Sequence, residues 1–96
     1  MLKISQIGKA NRSVTLRLEG RIVGPWVAEL RQSCEAVLRE GRSLRLHLAD
    51  VAFMDANAVS FLASLTPSAV ALIECPPFAM EQLKAEANTR NGMPNG

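Results

Sequence analysis

Apolar residues change their spacing several times along the chain, and each change marks an element. Leu2 and Ile4 open a short strand. Val14, Leu16 and Leu18 then alternate with Thr15, Arg17 and Glu19, a second strand with one apolar and one polar face. The polar stretch 8–13 between them is short, which predicts an antiparallel hairpin. From Val27 the period becomes helical. Val27, Leu30, Cys34, Val37 and Leu38 fall on one side, and Glu29, Arg31, Gln32, Glu35 and Arg39 on the other. Gly24-Pro25 suits the start of this helix, because proline at the first helical position lacks an N–H that has no partner there. Gly41 suits its end, and Trp26 in the first turn is read as covering the end of the core.

The stretch from Leu44 to Leu65 carries the sharpest change of period. Leu44, Leu46 and Leu48 alternate with Arg45, His47 and Ala49, as in a half-buried strand. After a short turn through Phe53-Met54-Asp55-Ala56, helical spacing resumes at Val59, Leu62 and Ala63. Asp55 stands at the N-cap position. There its carboxylate can accept from the N–H groups of Asn57 and Ala58, and its charge suits the positive end of the helix dipole. This second helix is expected to run from Ala56 to about Leu65 and to stop before Pro67. Ala69 to Ile73 is a nearly continuous apolar run, expected as a strand covered on both faces. Pro76-Pro77 opens a last helix with Met80, Leu83 and Ala87 at helical spacing. Asn88 to Gly96 has nothing to bury and is expected to be a flexible tail, leaving residues 1–87 as one domain. The fold class is therefore α/β: a four-stranded mixed sheet with a first, antiparallel edge strand, then parallel β-α-β-α-β, with three helices. In such folds a strand feeding a helix N-terminus is a common place for ligand or partner contacts.

Composition narrows the function. The 48% apolar and 21% charged residues fit an ordinary globular domain, and 96 residues suffice for one modest core. A net charge of +2 with scattered Lys and Arg argues against nucleic acid, and three Phe, one Trp and no Tyr give no stacking platform. The N-terminal stretch lacks the apolar region of a signal peptide and no segment reaches spanning length, so a cytoplasmic protein is expected. Cys34 and Cys75 read as small buried hydrophobes rather than ligands. With one His and no Cys-x-x-Cys spacing, no metal or cofactor is expected. Catalysis is disfavoured as well. His47 lies on the polar face of its strand, where a solvated side chain is expected. Asp50 and Asp55 could pair as acids, but Asp55 caps a helix and Asp50 ends a strand.

The order Phe53-Met54-Asp55-Ala56-Asn57-Ala58-Val59-Ser60 resembles the signature of the STAS domain, the family of the bacterial anti-sigma factor antagonists. There a strand ends in a hydrophobic-hydrophobic-Asp step, followed by Ser-Ser-Gly-Leu-Gly at the start of the next helix. The Glu19-Gly20-Arg21-Ile22 turn before the first helix is similar to the family's pattern. So is Val70-Ala71-Leu72-Ile73 followed by a Pro-containing turn and a helix, so the resemblance covers roughly residues 1–87. It implies a STAS fold and a non-enzymatic regulator that docks on a kinase-fold anti-sigma factor through the strand-to-helix turn. In the family, phosphorylation of a Ser in that turn abolishes docking, since about two negative charges enter the contact. By position the phosphoacceptor falls on Asn57, which has no hydroxyl. The family's glycines fall on Ala58 and Ser60, and an acidic position falls on Val23. The implied partner-binding set is Phe53, Met54, Asp55, Ala56, Asn57, Ala58 and Ser60, with the acceptor lost at Asn57 and the Ser60 hydroxyl one turn further on as a substitute. Phe53, Met54, Ala56, Ala58 and Val59 would form an apolar rim; the rival reading puts Phe53, Met54 and Val59 in the core and makes Asn57 an ordinary first-turn residue. A second function keeps the fold and changes the partner, to the ATPase of a lipid-transport ABC complex, which needs no phosphoacceptor. A small nucleotide-binding protein or enzyme is the third.

Overall fold

A computed structural model describes the backbone of residues 2–10, 12–65 and 69–91 and the side chains of those up to residue 86. The elements follow in the order β1 (Leu2–Lys9), β2 (Ser13–Ile22), α1 (Pro25–Arg39), β3 (Ser43–Met54), α2 (Ala56–Ser64), β4 (Val70–Ile73) and α3 (Pro77–Asn91). The sheet has the order β1-β2-β3-β4. β1 is antiparallel to β2, and the β2–β3 and β3–β4 pairs are parallel, each joined through a helix. This is the mixed sheet with three helices that the periodicity predicts.

Alternation places Val14, Leu16 and Leu18 of β2 and Leu44, Leu46 and Leu48 of β3 on one face, all buried. Against them pack Val27, Leu30 and Cys34 of α1, Val59, Phe61 and Leu62 of α2 and Ala79 of α3, in one core. Trp26 is half-buried at its margin. Burial pushes the Cys34 thiol up to about 12, helped by the Glu35 charge, so it behaves as a small hydrophobe; Cys75 is half-buried. The opposite face of the sheet carries Thr15, Arg17, Arg45, His47 and Ala71. His47 is not the solvated side chain expected there. It is half-buried, and its Nδ1 is shut away without a hydrogen-bond partner among the described residues.

Several boundaries differ from the sequence reading. The Glu19-Gly20-Arg21-Ile22 segment is strand, not turn. Gly20 takes a left-handed φ of 108°, and the segment stays paired with β3. β3 continues to Met54. Between the pairs Arg17–His47 and Glu19–Asp50, and again between Gly20–Val51 and Arg21–Phe53, β3 carries an extra residue. These bulges shift the alternation, so Ala49 and Asp50 are both exposed while Val51 and Met54 turn into the core. Asp50 therefore lies within the strand, and its carboxylate accepts from Arg17 Nε at 2.8 Å. β4 is an edge strand with Ala71 exposed, not a strand covered on both faces. On α3 the residue facing the core is Ala79, while Met80 is 53% exposed and Leu83 half-buried. The small Ala79 side chain lets the helix lie close. α3 also runs on through residues 88–91, placed by the sequence in the tail, because good helix formers such as Glu81, Gln82, Leu83, Lys84 and Ala85 precede them. Residues 92–96, the rest of that expected tail, lie outside the described residues.

Candidate functional site

The end of β3 and the start of α2 are built around one carboxylate. Asp55 leaves the strand in an extended conformation, its N–H donating to the Ile22 carbonyl at 3.2 Å. One carboxylate oxygen accepts from the Ala58 N–H at 2.8 Å, the helix cap expected from the sequence. The other accepts from the Gly24 N–H at 2.9 Å. Gly24 is the N-cap residue of α1, and α1 has no side-chain cap of its own. Asp55 therefore ties the beginnings of two helices together. These N–H groups, Gly24 first and then Ala58, hold its pKa below the usual carboxylate value.

Around this clamp the anticipated residues separate. Ala56 and Asn57 are exposed in the first turn of α2. Phe53 is 43% exposed and turns to the helix-free face of the sheet, where the Arg21 guanidinium lies 5.0 Å from its ring centroid. Met54, Ala58 and Val59 do not form a surface rim. They are core, Met54 and Ala58 at 1% and 0% exposure, as the rival reading had it for Met54 and Val59; the two β3 bulges cancel and leave Met54 on the face of Leu44, Leu46 and Leu48. The Met54 carbonyl accepts from Gln82 Nε2 of α3 at 3.3 Å. Ser60 is half-buried and its hydroxyl donates to Glu86 at 3.2 Å, joining α2 to α3. Of the expected partner-binding side chains, Asn57 and Ser60 line one groove, Ala56 lines another hollow beside Gln82, Phe53 faces elsewhere, and Met54 and Ala58 are buried. Among the described residues, no three His, Cys, Asp or Glu side chains gather as a metal site.

Beside Asn57 runs a groove of about 470 Å³ between α1 and α2. Gly24, Val27, Ala28 and Arg31 line one wall, and Asn57, Ser60, Phe61 and Ser64 the other. Both rows follow the same spacing of three, four and seven residues, which puts each on a single helix stripe. The sequence reading assigned Arg31 to the solvent face of α1, used Gly24 only to start that helix, and gave Phe61 and Ser64 no role. The matching stripes were present in the sequence, but nothing in it says that these two stripes face each other.

No protein-family model matches the chain, and no curated protein matches it. Among solved structures it is similar to the anti-sigma factor antagonist SpoIIAA in its unphosphorylated form. The TM-score is 0.62 at 15% sequence identity, over 91% of this chain and 81% of that one. Among the described residues no helix is long and apolar enough to cross a membrane. The likeness is one of fold: the four-stranded mixed sheet and three helices match the STAS fold, the architecture that the residues around Asp55 resemble.

Proposed function

We propose that the protein is a non-catalytic docking module that binds a protein partner through the start of α2 and is not switched off by phosphorylation there. The observation that carries this reading is the exposed Asn57 in a turn fixed by Asp55, on the fold of an anti-sigma factor antagonist. A carboxamide offers no acceptor for a phosphoryl group, and it leaves the surface neutral, as an unmodified serine would. The partner of first choice is a kinase-fold ATPase acting as an anti-sigma factor, which places the protein in the cytoplasm. The sole histidine sits on the helix-free face of the sheet, away from this turn, which supports binding rather than catalysis.

Asn57→Asp tests the reading. A negative charge in the first turn of α2 favours the helix dipole, so the variant folds at least as well as the parent. Docking on the partner should nonetheless weaken about tenfold through repulsion and desolvation. Tagged wild type and variant are compared in capture from native lysate, followed by titration against the recovered partner. Recovery of a kinase-fold ATPase, reduced in the variant, supports the reading. Recovery of an ABC ATPase with membrane components moves the protein to lipid transport. Equal affinity of the two forms removes position 57 from the interface.

A further inference from the structure

We propose that the groove between α1 and α2 seats an acidic segment of the partner, which sets a carboxylate on Arg31 and an apolar side chain against the exposed Ala28. The inference rests on the docking role above and names the partner's chemistry. Arg31 is exposed, and its guanidinium carbon stands 5.0 Å from the Phe61 ring centroid. Among the described residues it makes no ion pair and no side-chain hydrogen bond, whereas Arg17 and Arg42 both meet carboxylates. Stacking on the ring orders the guanidinium plane and uses none of its N–H donors. A carboxylate meets such a fork with two parallel hydrogen bonds.

The rest of the groove agrees with this chemistry. Arg31 is the one charged residue among its described walls. The acid at its mouth, Asp55, is already engaged by the Gly24 and Ala58 N–H groups, and Glu86 accepts from Ser60. The Ser64 hydroxyl is turned to the Phe61 carbonyl at 2.6 Å. What the groove offers is thus a single positive charge, the Asn57 carboxamide at one end, and an apolar floor of Val27 and Phe61. A volume of about 470 Å³ takes a few side chains of a docked segment. One arginine matches a carboxylate monoanion; the doubly charged phosphate of a phosphopeptide calls for a cluster of them. Asn57 belongs to both the groove and the exposed turn, so the segment would continue the same interface.

The test follows the backbone amide signals of the full chain during titration with a short helical peptide of Leu and Glu, acetylated and amidated. A counterpart peptide has each Glu exchanged for Lys. The Glu peptide should give saturable shifts at Gly24, Ala28, Arg31 and Ser64, and the Lys peptide none. Arg31→Gln should weaken the Glu peptide about fivefold, the scale of an exposed ion pair, and Arg39→Gln should leave it unchanged. Arg31→Glu should accept the Lys peptide instead. Equal binding by Arg31→Gln, shifts confined to other surfaces, or no saturable binding overturns the proposal. If the captured partner is lost in Asn57→Asp but retained at full affinity by Arg31→Gln, the groove assignment fails while the docking reading stands.

Discussion

The two oxygens of the Asp55 carboxylate accept from N–H groups of different helices, Gly24 ahead of α1 and Ala58 within α2. An amide oxygen can replace only one of these contacts, because the NH₂ that replaces the other oxygen is itself a donor facing a donor. Asp55→Asn should therefore keep one helix start and release the other, lowering the midpoint of urea unfolding at neutral pH. The pH dependence has a definite sign. The folded pKa lies below the ordinary 3.8, so the ionised clamp contributes fully above that value and is lost as pH falls through the depressed folded value. The urea midpoints of wild type and variant should differ at pH 7 and converge in acid. A gap between them that is constant across the acid range would mean that the carboxylate charge is not what matters. The cap on α2 was legible in the sequence, since it joins residues three apart. The bond to Gly24 spans 31 positions, and no local pattern announces it.

Helices and strands were legible wherever a single period runs unbroken. Leu44, Leu46 and Leu48 gave the face of β3, and the Val27-to-Leu38 stripe gave α1 with its glycine and proline punctuation. The reading stopped where bulges break the period. One extra residue in β3 turns Val51 inward and a second returns the alternation to Met54, so an alternation carried on from Leu48 misplaces Asp50, Val51 and Ala52. Met54 keeps the inward parity of Leu44, Leu46 and Leu48, because the two shifts cancel; it was set on the surface because it was read as turn rather than strand. Ala58 was misassigned because α2 buries Ala58, Val59, Phe61 and Leu62 together, a wider stripe than its shortness suggests. A testable consequence at this scale concerns Gly24, whose φ of 51° and ψ of −127° suit glycine alone. A Cβ there would meet nothing within 4 Å, so Gly24→Ala adds backbone strain without a clash. The expected loss is about 1–3 kcal/mol in chemical denaturation. Unchanged stability would show that α1 can begin without this conformation, and the Asp55–Gly24 link would then be incidental.

Across the whole molecule, the helices sit on one face of a sheet whose strands are unequally held. β2 and β3 are central and pair along most of their length, whereas β4 is four residues long, at the edge, and pairs only with Leu44–His47 of β3. The Leu44 N–H reaches Ala69 just ahead of it, and beyond Ile73 the chain leaves the sheet through Glu74 at a φ of 53°. α3 is tied on by side-chain bonds from Gln82 to Met54 and from Ser60 to Glu86, with Ala79 its one fully buried described residue. Such an arrangement opens from the β4–α3 side while the β2–β3 pair stays closed, because few buried contacts hold the edge. In native-state hydrogen exchange, amides of Leu16, Leu18 and Leu46 should exchange only through global unfolding. Those of Leu72, Ala79 and Leu83 should exchange at a lower opening free energy and with a smaller denaturant dependence. The start of α2 belongs to the stable half, since Asp55 binds it to α1 and Ile22. The docking turn would thus keep its shape while the far edge moves. Equal protection of β4 and β3 would contradict this division and make the molecule a single cooperative unit.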